Sequence, residues 1–262
     1  MHRVYIVEGL PCSGKSTVSA FIASVLEEKY KVCYYDEGSG KHPADYEFHA
    51  FLSYDDIKLF TADEQRCICE KAVRKSDGFI VPLCEFSGVL FDKLLEYKIY
   101  DFLPWEKEKP LMLEKWHDFS ISADDDTVYV FNCVLLQNPM CETMMRFGFD
   151  EKVSFEYISN IVSCINEMEP FVIYLKSDRI AEQVMRTAEE RDGWLDAVIK
   201  YHNDGGYGKS INADGFDGYI KCLEERQKRE LEILKKLDIR SVIIENAHND
   251  WSAAYEKIRG VL

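Results

Sequence analysis

The sequence predicts an α/β protein with three layers, in which helices cover both faces of a central parallel sheet of about five strands. The main observation is that short apolar runs, typical of buried strands, alternate with segments whose apolar residues recur every three or four positions, which is typical of helices. Strand–helix–strand order favours parallel pairing, because a crossover helix returns the chain to the same edge of the sheet. The second observation is a glycine-containing turn between the first apolar run and the first helical segment.

Five apolar runs predict the core strands in order: Val4–Val7, Val32–Tyr35, Val128–Phe131, Phe171–Leu175 and Ser241–Ile244. Helical spacing of apolar residues predicts the helices between and after them: 18–26, 155–168 with Ser154 as N-cap, 180–189, 224–237 and 251–262. Five glycines between positions 205 and 218 indicate a mobile loop.

Residues 38–125 do not keep this alternation. Helical patterns cover 64–75, 89–97 and 111–119, and one short apolar run, 79–81, is stopped by Pro82. We therefore expect a mostly helical insertion at about 38–125 within a single domain that spans residues 1–262.

Composition restricts the class of partner. The chain has 262 residues, of which 47% are hydrophobic, and a formal charge of −15. An acidic balance argues against a nucleic acid or an anionic membrane surface as partner. No apolar run approaches the roughly 20 residues of a membrane span, and the nine cysteines contain no C-x-x-C pair. We expect a cytoplasmic protein with free thiols, no nucleic-acid partner and no membrane partner.

The most specific motif is Gly9-Leu10-Pro11-Cys12-Ser13-Gly14-Lys15-Ser16-Thr17, which matches G-x-x-x-x-G-K-[ST]. It follows a predicted strand and opens a predicted helix, which is the context that phosphate binding requires. Its glycines let the backbone N–H groups turn toward phosphate oxygens at the helix N-terminus. Lys15 adds a positive charge between the β- and γ-phosphates, and the Ser16 hydroxyl is a ligand for Mg²⁺.

The motif therefore predicts ATP and Mg²⁺ as cofactors, with Ser16 as the metal ligand. The predicted nucleotide-binding residues are Gly9, Pro11, Cys12, Ser13, Gly14, Lys15, Ser16 and Thr17. Cys12 is expected to act as a spacer in the loop and not as a nucleophile, although a helix N-terminus lowers the pKa of a nearby thiol.

The segment from Ile6 to Thr17 resembles the start of the P-loop small-molecule kinases, the group of thymidylate kinase, deoxynucleoside kinases and nucleoside-monophosphate kinases. Bacterial proteins of unassigned activity share the same opening and the segment His42–Glu47. The resemblance implies a P-loop NTPase fold and a phosphotransferase that moves the γ-phosphoryl group of ATP to a small acceptor. A nucleoside, a nucleotide, a sugar and an antibiotic are all open as acceptors.

The resemblance implies two groups of acids beyond the P-loop. A carboxylate at the end of the second strand would accept the proton of the attacking hydroxyl, and Asp36 is our candidate. Glu37 is the alternative, because neighbouring residues of a strand point in opposite directions. An acid on the middle strand would hold the water shell of the metal, but that strand ends in Asn132. Glu8, on the first strand, is the alternative for that position.

The resemblance also implies a lid of arginines that closes on the phosphates, here within about 179–218. Arg186 and Arg191 are the candidates for stabilising charge on the transferred group, and Arg179 and Lys209 are weaker ones. Residues 245–249, after the last strand, form the loop at which the resemblance places the adenine ring of ATP.

A second class of function stays open. The missing acid on the middle strand favours a nucleotide-binding switch or sensor that turns over slowly and acts through a protein partner. His42 and Asp45 are further candidates for an acceptor pocket in the kinase reading. The oligomeric state is open, a homodimer included.

Overall fold

The computed structural model describes residues 2–38 and 40–262. The chain forms two compact units: the sheet unit, within Met1–Glu37 and Ser120–Leu262, and the inserted unit, within Gly38–Phe119. The strands are β1 (Val4–Gly9), β2 (Lys31–Tyr35), β3 (His49–Ser53), β4 (Val73–Arg74), β5 (Gly78–Pro82), β6 (Thr127–Asn132), β7 (Phe171–Lys176) and β8 (Arg240–Glu245).

The helices follow the same chain order. They are α1 (Lys15–Leu26), α2 (Ala62–Lys71), α3 (Gly88–Leu95), α4 (Ile99–Phe102), α5 (Trp105–Ser122), α6 (Gln137–Met140), α7 (Glu151–Ile165), α8 (Ile180–Ala188), α9 (Trp194–Asp204), α10 (Gly206–Ser210), α11 (Gly215–Lys236) and α12 (Trp251–Arg259). A π-helical segment, Cys141–Arg146, follows α6. No helix in the described ranges is long and apolar enough to cross a membrane.

The sheet unit is built on five parallel strands in the order β2-β6-β1-β7-β8. Tyr5 and Val7 of β1 share one core cluster with α1 and α12. Val4 and Ile6 are equally buried and face the other way, because side chains alternate along a strand. The predicted class, a three-layer α/β fold with a parallel sheet of five strands, is confirmed.

This strand order places the carboxyl ends of β2, β6 and β1 side by side. In open parallel sheets, ligands bind at this edge, beyond the carboxyl ends of the strands. The loop from Leu10 to Gly14 leaves β1 at that edge, and β6 ends beside it in Asn132. The P-loop, Asp36 and Asn132 therefore lie at the ends of three neighbouring strands.

The inserted unit contains a three-stranded antiparallel sheet, β3-β5-β4, together with helices. The predicted strand at 79–81 is confirmed as part of β5, but β3 was not predicted. The predicted helix 64–75 ends early, at Lys71, because β4 follows and pairs with β5. The single domain over 1–262, with its insertion at about 38–125, stays a prediction.

The glycine cluster was predicted as a mobile loop, and that prediction is wrong: α10 and the start of α11 occupy it. These glycines allow backbones to approach closely. A Cβ at Gly208 would lie 2.1 Å from the His202 carbonyl oxygen, and one at Gly205 would lie 2.3 Å from that of Met145. Glycine therefore serves helix packing here, although its sequence signal is the same as that of a loop.

The N-cap predicted for the helix before β7 is also wrong. Asp150 caps α7 through a hydrogen bond that its side chain accepts from Val153 N. Ser154 lies inside the helix, fully buried, with its hydroxyl bonded to that of Thr143.

Candidate functional site: the P-loop cleft

The P-loop joins β1 to α1 and depends on its two glycines. Gly9 has φ of 145° and Gly14 has φ of 91°, both in the region that favours glycine. A Cβ at Gly9 would lie 2.6 Å from the Leu175 carbonyl oxygen, and one at Gly14 would lie 2.4 Å from the Trp251 ring. Glycine is therefore required at both positions for backbone conformation and for space.

The first turn of α1 has groups that suit anion binding. Gly14 is its N-cap, so the amides of the following residues have no carbonyl ahead of them in the helix. Lys15 is buried, and its ammonium group donates to the carbonyl of Leu10 across the loop at 2.9 Å. A buried ammonium beside free helical amides forms a site of positive potential suited to phosphate.

A cleft of about 460 Å³ lies in front of this loop. Its lining combines the loop with the ends of other elements of the sheet unit: Pro11, Cys12, Gly14, Lys15, Ser16, Thr17, Glu37, Gln137, Thr187, Glu190, Arg191, Trp194 and Val198. Most of the predicted nucleotide-binding residues therefore share one cleft. Gly9 and Ser13 belong to the loop behind it, and Ser13 is buried.

Cys12 contributes to the cleft wall without the features of a nucleophile. Its backbone has a positive φ of 68°. Burial raises the pKa of its thiol, which a contact with the Thr187 hydroxyl and the charge of Lys15 only partly offset. A thiol held in its protonated form suits the predicted role of a spacer.

The two carboxylates at the end of β2 diverge, as strand geometry requires. Glu37 lines the cleft, and its Oε1 accepts from the Gln137 side chain at 3.0 Å. Asp36, our candidate for the base, does not line it. The Asp36 carboxylate instead accepts from the Asn132 side chain at 2.6 Å and from the amide of Glu37 at 2.9 Å.

Asn132 connects Asp36 to the P-loop. Its side-chain nitrogen also donates to the Ser16 hydroxyl at 3.1 Å. The other end of the amide, Oδ1, is buried and has no hydrogen-bond partner among the described residues. The position expected for an acid thus carries a buried amide between the predicted metal ligand and a carboxylate.

The Glu8 side chain is hydrogen-bonded to the backbone of residues 135–137. It is fully buried, and its carboxylate accepts from the amides of Leu135, Leu136 and Gln137 at 2.7, 2.9 and 3.0 Å. Burial raises the pKa of this carboxyl to about 7. Because both of its oxygens hold the loop, Glu8 positions Gln137 at the cleft and is a poor candidate for the metal shell.

The described residues contain no cluster of three or more His, Cys, Asp or Glu side chains that would hold a metal unaided. Mg²⁺ bound with a nucleotide does not need one, since it takes most ligands from water and phosphate and only one or two from protein. The Ser16 hydroxyl, the unpartnered Asn132 oxygen and the Asp36 carboxylate form a donor set of oxygens, which fits Mg²⁺.

The predicted lid arginines are separated. Arg191 lies past the end of α8 and lines the cleft, with its guanidinium 5.9 Å from the centre of the Trp194 ring. Arg186 is exposed on α8 and does not line the cleft. Arg179 is the N-cap of α8 and pairs with Glu182 at 3.6 Å.

The loop expected near the adenine ring follows β8. His248 there accepts a hydrogen bond from the Gln183 side chain, which ties the loop to α8. Trp251, the first residue of α12, packs on Gly14 and stacks on Tyr255, with ring centres 5.9 Å apart. The sequence reading placed Trp251 in a closing helix and gave no sign that it touches the P-loop.

The weaker candidates lie elsewhere. Lys209 is exposed on α10. His42 and Asp45 are buried within the inserted unit, where Asp45 accepts from the Tyr100 hydroxyl and from the amide of Tyr46. Trp194, which no sequence motif singles out, lines the cleft.

The comparisons with known proteins add little. No protein-family model matches the chain, and no curated protein sequence matches it. Among solved structures, it is similar to thymidylate kinase from Candida albicans, with 14% identity and a TM-score of 0.38, over 98% of this chain and 93% of that one.

Proposed function

We propose that this protein is an ATP-dependent phosphotransferase that passes the γ-phosphoryl group to a small acceptor. One observation carries the proposal: the P-loop lysine, an arginine from the lid-like segment and a carboxylate share a single cleft. Lys15 and Arg191 supply the positive charge that a transferred phosphoryl group needs, and Glu37 supplies a proton acceptor.

Each of these residues then has its own role in phosphoryl transfer. The loop amides and Lys15 hold the phosphates, and Arg191 stabilises charge on the transferring group. Glu37 accepts the proton of the attacking hydroxyl, while Gln137 orients that carboxylate through its 3.0 Å hydrogen bond. Bound Mg²⁺ at Ser16 would neutralise phosphate charge. The acceptor class stays open among nucleosides, nucleotides, sugars and antibiotics.

The test is ADP release from ATP and Mg²⁺ against a panel of such acceptors. We expect one class to stimulate release by at least tenfold, and Lys15→Ala to abolish the stimulation while its thermal melt shows a retained fold. Lys29→Ala, an exposed lysine just after α1, is the matched control. Full stimulated activity in Lys15→Ala would exclude the proposal.

A second function has one observation in its favour. Asn132 stands where the resemblance expects an acid, which suits a nucleotide-binding switch with little turnover. A flat acceptor panel, together with different affinities for ATP and ADP, would select the switch over the kinase.

A further inference from the structure

Three polar side chains form a continuous chain at the carboxyl edge of the sheet. Asn132, the last residue of β6, donates to the Ser16 hydroxyl at 3.1 Å and to Asp36 at 2.6 Å. Ser16 belongs to the P-loop, and Asp36 follows β2, the strand that pairs with β6. The carboxylate is thus linked to the predicted metal ligand through one amide.

The orientation of that amide follows from the chemistry of its neighbours. An ionised carboxylate only accepts hydrogen bonds, so Asn132 must present its NH₂ group to Asp36. The same nitrogen also serves Ser16, and both of its protons are then used. The oxygen of the amide consequently bonds to neither partner.

That oxygen is an independent sign of a ligand. The Asn132 side chain belongs to a residue that is only 1% exposed, and its Oδ1 has no hydrogen-bond partner among the described residues. Leaving a buried polar atom unpartnered is unfavourable, because the atom has lost its hydrogen bonds to water. Carbonyl oxygens are ligands of Mg²⁺ and acceptors for the water molecules bound to it.

The other acids near this point are used differently. Glu8 gives its oxygens to the amides of residues 135–137, and Glu37 faces the cleft and Gln137. Asp36 also lies close enough to Tyr34 to help raise the pKa of its hydroxyl, behind the burial that is the main cause. Asp36 is therefore the carboxylate that Asn132 links to Ser16.

We infer that Asp36, positioned by Asn132, is the carboxylate of the metal site beside Ser16, and that Glu37 alone meets the acceptor. The inference rests on the proposed function. In this arrangement the metal-site acid follows β2 and is not on β6, the middle strand. Asn132, on β6, is a positioning residue that joins Asp36 to Ser16 by hydrogen bonds. This arrangement also separates the two carboxylates by role: Asp36 acts on the metal-bound nucleotide, and Glu37 acts on the proton.

The test measures how much Mg²⁺ strengthens binding of a non-hydrolysable ATP analogue, by calorimetry with and without the metal. Wild type should show a clear enhancement. Asp36→Asn should lose it by a factor of about 10–100, the range seen when outer ligands of a metal site are removed. An asparagine at 36 still accepts from Asn132, so the fold should hold.

The swapped variant is the decisive one. Asp36→Asn combined with Asn132→Asp returns one carboxylate and one amide to the same pair of positions, and should restore most of the enhancement. Asp238→Asn, an exposed aspartate between α11 and β8, is the matched control. Glu37→Gln should keep the Mg²⁺ enhancement and lose acceptor-dependent turnover.

The outcomes separate the two proposals. If wild type binds no analogue with or without Mg²⁺, the proposed function fails and the inference fails with it. If wild type shows the enhancement and Asp36→Asn retains it, the metal role of Asp36 is overturned while the kinase proposal stands. Mn²⁺ in place of Mg²⁺ allows a check by electron paramagnetic resonance, in which Asp36→Asn should alter the spectrum of the bound ion and Asp238→Asn should not.

Discussion

Trp251 closes directly over Gly14 of the P-loop, so closely that a Cβ at Gly14 would lie 2.4 Å from the indole ring. The same tryptophan stacks on Tyr255, and both belong to α12, which packs with α1 and the sheet in one core cluster. The last helix therefore supports the P-loop, and we expect substitutions at Trp251 to change the affinity of the proposed nucleotide site.

Gly14→Ala should reduce both stability and nucleotide affinity. The positive φ of 91° costs alanine about 1–2 kcal/mol, and the contact with Trp251 adds about 1–3 kcal/mol of overpacking. We expect the free energy of unfolding in urea to fall by about 2–5 kcal/mol.

Gly193→Ala is the matched control, because Gly193 also has a positive φ, of 71°, but nothing lies within 4 Å of its added Cβ. It should lose only about 1–2 kcal/mol, the backbone cost. A double variant with Trp251→Ala should recover part of the loss at Gly14. Equal losses at the two glycines would show that the tryptophan contact has no energetic effect.

Local patterns in the sequence were enough for the P-loop and the core strands. The motif at 9–17 and the apolar runs are read within windows of about ten residues, and each recurs in the structure with bounds shifted by a residue or two. The mobile-loop prediction for the glycines at 205–218 was wrong because it too relied on a local pattern. A group of glycines looks the same in the sequence whether it forms a loop or lets helices pack closely.

The contacts that decide the chemistry depend on the order of strands in the sheet. Asn132 meets Asp36 only because β6 lies between β2 and β1. Nothing in the residues around 36 or 132 encodes that order, so the sequence showed that the middle strand lacks the expected acid but not that Asn132 contacts Asp36. The contact of Trp251 with Gly14 is of the same kind.

Arg191→Ala should lower acceptor-dependent kcat by about 100-fold or more, with a smaller change in nucleotide affinity. Arg191 is the predicted lid arginine that lines the cleft. Removing a donor that acts on the transition state has an effect of this size. Arg186→Ala should act more weakly, since Arg186 does not line the cleft. Steady-state kinetics of both variants, with Arg66→Ala as a control on the inserted unit, give the comparison. A larger loss at Arg186 than at Arg191 would reverse the assignment.

Glu230→Gln should destabilise the protein by about 3–5 kcal/mol. Glu230 and Arg226 lie one turn apart on α11, both fully buried, with 2.9 Å between the guanidinium nitrogen and the carboxylate. Removing one charge of a buried pair leaves the other uncompensated, whereas replacing both with apolar residues is often neutral. The double variant Arg226→Met with Glu230→Leu should therefore be more stable than Glu230→Gln in urea unfolding. A single loss below 1 kcal/mol would mean that the pair is not buried in solution.

Glu8→Gln should flatten the dependence of stability on pH between about 4.5 and 7. Burial raises the pKa of Glu8 from 4.5 to about 7 in the folded protein, so the folded state binds the proton more tightly than the unfolded state. Its contribution is therefore complete below pH 4.5 and is lost as the pH rises to about 7, a change of about 3 kcal/mol. Urea unfolding across this range, with Glu70→Gln on exposed α2 as the control, measures the slope. A slope that survives in Glu8→Gln would assign the titration to another group and leave Glu8 ionised on its three amides.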